Sequence, residues 1–188
     1  YSSKFSPWLA HGCLGPRTVL EAVRRYERQR TRNDSTQWLA MEVLWREFFR
    51  HVARRAGGRL FRAGGLRGLP IALDRDETRC DAWRHGRTGV PLVDASMRQL
   101  AATGFLSNRG RQVAASFLVV NLGIDWRMGA AWFQSRLVDH DAASNWGNWA
   151  AVAGVGTGRR EFSWFDPWWQ GRRYDPDAAH ARRWLPEL

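Results

Sequence analysis

The run Asp139-His140-Asp141-Ala142-Ala143-Ser144-Asn145-Trp146-Gly147-Asn148-Trp149 sets two carboxylates, two asparagines, a glycine and two indoles within eleven residues. Acids and amides offer fixed hydrogen-bond partners. Gly147 lets a backbone approach a planar group closely. The indoles add stacking surface and oxidisable rings. Such a set suits a redox-active aromatic cofactor. It reads equally as a polar turn leading into core tryptophans, so the surrounding sequence has to decide.

On either side the pattern is helical. Residues 16–30 carry Val19, Leu20, Val23 and Tyr26 at helical spacing, with Pro16 placed to start the helix. Residues 36–56 predict a long helix capped by Asp34 or Ser35. The Gly/Arg/Leu stretch 57–75 predicts a loop. Short helices are expected over 78–86 and 91–103, the second opened by Pro91 and closed by Gly104. Residues 107–122 and 128–139 predict two more, with Asp125-Trp126 just ahead of the latter. Taken alone, Trp126 is a core aromatic. Residues 140–177, rich in Gly, Trp and Pro, read as irregular, with a start that suits a helix. Residues 177–185 close the chain as a short helix. No strand alternation, repeat or low-complexity tract is present, so the fold class is all-α.

The 188 residues suit one domain or a little more, and the 44% apolar share supports a core. Lys and Arg total 29 against 18 acids, giving +11, and Lys4 is the only lysine. Arginine grips phosphate bidentately and stacks on bases, which points to a polyanionic partner. A GC-rich coding sequence is the competing explanation of the arginine content. Twelve tryptophans are a heavy load, and most are expected in the core. Cys13 and Cys80 form no disulfide framework and no metal spacing, which fits a reducing, intracellular setting. The longest apolar run, Val113 to Val120, is too short to span a bilayer. The chain opens at Tyr1 without methionine and reads as an excised piece, so any targeting signal is expected upstream.

Three further groups carry chemistry. Ser2, Ser3, Lys4 and Ser6 gather three hydroxyls and an ammonium ahead of a helix, as phosphate ligands or as a plain serine-rich loop. On the long helix, Trp38, Glu42, Trp45, Arg46 and Phe49 fall on one stripe. A buried charge needs a partner. Either Glu42 and Arg46 pair with each other, or the stripe is a cavity wall with Trp45 as stacking platform and Glu42 as hydrogen-bonding acid. Ser107-Asn108-Arg109-Gly110-Arg111-Gln112 opens another helix. Asn108, Arg111 and Gln112 share a face there and Arg109 points away. The run reads as an anion site at a helix N-terminus or as a capped surface turn.

The order of these runs resembles the photolyase/cryptochrome family. It comprises Ser2-Ser3-Lys4-Phe5-Ser6-Pro7-Trp8-Leu9-Ala10, Trp38 through Arg50, Thr88-Gly89-Val90-Pro91-Leu92-Val93-Asp94-Ala95-Ser96-Met97-Arg98, Asn108 through Gln112, Gly123-Ile124-Asp125-Trp126-Arg127 and the opening run. The resemblance extends over residues 1–188, to the closing Trp184-Leu185-Pro186-Glu187-Leu188, and covers the helical FAD-binding half. The α/β antenna domain expected ahead of it, with any antenna folate, is absent from this chain. Lys4-Phe5, Gly110 with Gln112, Ser144 before Asn145, Gly154-Val155-Gly156 and Phe162-Ser163 look like the DASH-type cryptochromes.

The resemblance implies FAD folded into a U in a helical bowl. Ser2, Ser3, Lys4, Phe5 and Ser6 would hold its pyrophosphate, and Glu42 and Arg46 would line the cavity beside adenine and substrate. Asn108 and Arg111 would approach the flavin, with Arg111 pairing Asp139. Asp141 would sit by the ring and ribityl chain, and Asn145 would face the ring's N5 with an amide rather than an acid. It further implies light-driven splitting of cyclobutane pyrimidine dimers, preferably in single-stranded DNA, by a monomer. Flipping a base costs least where stacking is already lost. Glu42, Trp45 and Asn145 would be the catalytic residues. Trp45, Arg46, Arg109 and Gln112 would meet DNA. Trp149 and Trp126 match the proximal and middle electron-relay tryptophans.

The sequence departs from that pattern at two places. Leu73 stands at the distal relay position, so Trp83 or Trp132 would have to complete the path, or photoreduction is impaired. Ala151 stands where an aromatic wall against the lesion is usual. A non-repairing blue-light receptor, or a nucleic-acid-binding flavoprotein, is therefore the alternative. The compartment is open, with an organelle included.

Overall fold

The computed structural model describes residues 2–72, 74–158 and 163–188; Leu73, Phe162 and the expectations resting on them lie outside these. Among the described residues the elements are helices, and the only strand-like feature is a single bridge between Asp74 and Ile124.

Local sequence sets most helix ends. α1 (Ser6–Ala10) and α2 (Pro16–Gln29) carry proline in the first turn, where its missing N–H costs nothing. α3 (Asp34–Ala56) starts earlier than predicted, and its cap is neither Asp34 nor Ser35. The Asn33 side chain accepts from Thr36 N–H, and the Thr36 hydroxyl accepts from Asn33 N–H, a reciprocal box. Two tight turns, Gly57–Phe61 and Gly65–Arg67, occupy the predicted loop. α4 (Glu77–Arg84) follows. α5 (Pro91–Thr103) has the predicted bounds, and Gly104 closes it at φ 65°, in the left-handed region glycine tolerates.

α6 (Asn108–Ser116) is capped by Ser107 and widens into a π turn over Phe117–Asn121. α7 (Trp126–Arg136) begins two residues ahead of expectation because the Asp125 carboxylate caps Arg127 N–H. The segment 140–177 starts in a helix, as expected, and its second helix corrects the irregular reading of the remainder. It holds α8 (Ala142–Val152), capped by Asp141, and α9 (Pro167–Tyr174), capped by Asp166. α10 (Ala179–Trp184) ends the chain.

The main core joins α4 to α8 around Trp83, Met97, Val113, Leu118, Trp126 and Phe133. Each such side chain contributes roughly 1.5–3 kcal/mol on burial. The buried indoles are satisfied: Trp83 Nε1 donates to the Ala114 carbonyl at 2.9 Å and Trp126 Nε1 to that of Ala63 at 3.1 Å. A smaller core of Val19, Val23 and Val43 ties α1 and α2 to α3, with Phe5, Leu9 and Leu39 against it. The expectation that most tryptophans are core is overturned. Trp83, Trp126 and Trp149 are buried, whereas Trp8, Trp38, Trp45, Trp164, Trp168 and Trp169 are exposed. The main core is filled chiefly by Val, Leu, Ala and Met, which leaves bulky indoles on outward faces of α1, α3 and α9.

Candidate functional site

The opening stretch forms the junction of α3, α6, α7 and α8. Asp139 precedes α8 with a fully buried side chain, and its Oδ2 accepts from Arg111 Nη2 of α6 at 2.6 Å. Arg111 is itself aimed by Nε, which donates to the Leu106 carbonyl at 2.8 Å. Asp141 accepts from Ser144 N–H at 2.9 Å and from Arg50 Nη2 at 3.2 Å. Burial opposes its charge, and the bonds from Ser144 and Arg50 outweigh burial, so the carboxyl sits below the ordinary range. Asn145 is buried, and its Nδ2 donates to the Ala130 carbonyl of α7 at 3.0 Å. What Asn145 can still offer a ligand is its acceptor oxygen and one amide N–H.

α3 meets α8 through a close approach that only glycine allows. A Cβ on Gly147 would strike the Phe49 ring. The Glu42–Arg46 pair left open by the sequence does not form. Arg46 bonds Glu47 and, at 3.1 Å through Nη2, the Leu9 carbonyl, so it fastens α1 to α3. Without that pair, desolvation by the surrounding protein pushes the Glu42 carboxyl above its ordinary value. The stripe of α3 is split. Phe49 is buried, whereas Trp45 is 46% exposed and meets Phe48 edge-on at 5.3 Å.

Ser2, Ser3 and Lys4 are exposed, Phe5 and Ser6 half-buried. Lys4 takes a left-handed φ of 55°. Asn108 is exposed and Gln112 half-buried on α6. Arg109 lies over the rings of Tyr174, at 4.8 Å, and Phe165, at 5.8 Å. Trp149 packs edge-on against Phe133 at 5.1 Å and Trp83 at 6.1 Å, whereas Trp126 meets Trp146 edge-on at 5.8 Å. Trp149 and Trp126 thus sit in separate ring groups. Trp132, the other substitute for the distal position, has the Arg136 guanidinium 4.3 Å from its ring. Ala151 is half-buried on α8.

The sequence did not single out Arg50, Phe49 as the partner of Gly147, or the pairing of Trp146 with Trp126. The spacing of Arg50 four residues beyond Arg46, on the same helix face, was the available signal.

Two buried polar atoms of this junction, Asp139 Oδ1 and His140 Nδ1, are left without a hydrogen-bond partner among the described residues. An orphan carboxylate oxygen in a closed interior costs about 1–3 kcal/mol unless a ligand satisfies it. Donors of a planar heterocycle fit that need, and the residues present fit a flavin.

A family model described as the FAD binding domain of DNA photolyase matches residues 38–188, and the chain belongs to that family. Cryptochrome DASH of Gloeobacter violaceus is 60% identical over all 188 residues. The chain spans 38% of that relative's length. Among solved structures, a Synechocystis cryptochrome superposes with a TM-score of 0.96 at 56% identity, over 100% of this chain and 39% of that one. An archaeal photolyase from Sulfolobus tokodaii with two FAD molecules gives 0.83 at 33%, over 100% and 41%. The cofactor of this domain is FAD. The fold is the helical FAD-binding one. No helix among the described residues is long and apolar enough to cross a membrane.

Proposed function

We propose that this chain is the flavin-binding part of a light-driven lyase that splits cyclobutane pyrimidine dimers, preferably in single-stranded DNA. Bound FAD supplies light absorption and single-electron transfer. The protein's own residues bind, orient and exclude water. Arg111 and Asp139 would fix one edge of the ring, Asp141 and Arg50 its neighbourhood, and Ser2, Ser3, Lys4, Phe5 and Ser6 the phosphates. Asn108 and Arg46 would complete the cofactor's surroundings. Asn145 would accept a hydrogen bond from the ring and, being an amide, surrender no proton to it readily.

The observation that carries the repair reading is Glu42 beside Trp45. One is an exposed carboxyl, unpaired among the described residues, a turn before the indole on the same helix face, its pKa raised by partial desolvation, and the other an exposed indole for a flipped base to stack on. Arg109 and Gln112 would grip the flanking strand. Trp149 and Trp126 would pass electrons toward the cofactor. The specific feature favouring a non-repairing photoreceptor is Ala151, which offers no ring as a second wall.

Illumination of the reduced protein with dimer-containing oligothymidine, single- and double-stranded, tests the proposal. Recovery of thymine absorbance that disappears in Glu42→Ala and in Trp45→Ala is expected. Binding without any recovery would rule out the lyase and leave the photoreceptor.

A further inference from the structure

α9 turns two adjacent indoles outward that its packing does not use. The helix docks through Pro167 and Gln170, which are buried, whereas Trp168 and Trp169 are 51% and 46% exposed. Tyr174, at the end of the helix, is 52% exposed and meets Trp169 edge-on at 6.5 Å. The Arg173 guanidinium lies 5.4 Å from the Trp169 ring and 5.6 Å from the Tyr174 ring. Arg109 reaches Tyr174 from α6, so a third guanidinium joins this face from a neighbouring helix.

Among the described residues the arginines of this face, Arg109, Arg172 and Arg173, form no ion pair. Asp166 accepts from the N–H groups of Trp168 and Trp169, at 2.9 and 3.1 Å. Asp175 accepts from those of His180 and Ala181, both at 2.9 Å. Asp166 and Asp175 thus face backbone. Exposed aromatic faces interleaved with guanidinium groups suit a strand whose bases are unpaired. Each base offers a face to stack and each phosphate a charge to meet. A duplex hides those faces.

We infer that the α9 face is a docking surface for unpaired nucleotides of a DNA strand, with bases stacked on Trp168 and Trp169 and phosphates met by Arg172 and Arg173. This rests on the proposal that the protein acts on DNA.

The test uses the full-length, flavin-bound protein and undamaged, fluorescein-labelled oligothymidine, single-stranded or annealed, with anisotropy read at several salt concentrations. The Trp168→Ala/Trp169→Ala variant should weaken single-strand binding at least about fivefold and duplex binding less than about twofold. Trp168→Tyr/Trp169→Tyr, which keeps stacking faces, should retain most of it. Arg172→Gln/Arg173→Gln should lower the salt slope for both strands. Circular dichroism and flavin absorbance identify any variant that fails to fold, and the tyrosine and glutamine variants then decide alone.

Unchanged single-strand binding in the alanine variant, or an equal loss on duplex, overturns the inference. Altered self-association without altered DNA binding also overturns it, since the face then contacts protein. The probe holds no dimer. Tryptophan-dependent binding without photorepair would therefore defeat the lyase reading and leave this surface standing.

Discussion

Arg111 holds Asp139 by one oxygen only: Nη2 reaches Oδ2 at 2.6 Å, and Oδ1 stays buried with no partner. Arg111 is aimed at the carboxylate by its Nε, which donates to the Leu106 carbonyl, and in the proposed function the open oxygen faces the cofactor.

Asp139→Asn should therefore cost about 1–3 kcal/mol of stability, because it leaves a guanidinium without its anion. Arg111→Lys should cost part of that. Lysine keeps the charge but cannot bond Leu106 and Asp139 together. Urea unfolding midpoints of the two variants check this. Equal stability of all three proteins would show that the pair is incidental.

Acid should weaken the fold in two stages. Burial holds His140 and His180 below the ordinary histidine value. The unfolded chain then binds protons that the folded chain refuses, so stability is complete above about pH 6.5 and declines as pH falls toward their folded values. Asp141, lowered despite burial by Ser144 and Arg50, contributes fully above about pH 4 and is lost as pH drops through its folded value. Glu42 acts oppositely. Its raised carboxyl favours the fold at low pH, and that contribution is lost as pH rises through the folded value. The thermal midpoint should fall between about pH 7.5 and 5, and the His140→Gln/His180→Gln variant should flatten that limb. A parent curve that is flat there contradicts the assignment.

Gly147→Ala and Gly129→Ala separate the site from the core. A Cβ at Gly129 would meet Trp149 and Leu118, and one at Gly147 would meet Phe49. Each should destabilise by about 1–3 kcal/mol through overpacking. Gly147→Ala should also lower flavin content, because Phe49 and Arg50 move together on α3 and Arg50 holds Asp141. Gly147→Ala with undiminished flavin would sever that link.

Where side chain and backbone interact within a few residues, the sequence was legible. Pro91 and Gly104 mark both ends of α5, and Arg111 was paired with Asp139 through the family pattern. Asn33 was overlooked as a cap because Asp34 and Ser35 follow with equally suitable side chains. α9 was hidden by its Gly, Trp and Pro content, although Asp166-Pro167 is a start signal in itself. The π turn after α6 and the pairing of Trp126 with Trp146 depend on contacts between distant segments, which no local pattern reports. The outward tryptophans were misjudged for the opposite reason. Hydrophobicity argues for burial, yet large aromatic residues also serve where a ligand supplies the other face.

The most direct measurement is flavin released from purified, folded full-length protein and quantified by its absorbance against protein concentration. Equimolar FAD in the parent, with a loss of at least about tenfold in affinity in Asp139→Ala, is expected if the open oxygen binds the cofactor. Folded protein without flavin, or Asp139→Ala that retains as much as the parent, would contradict the account.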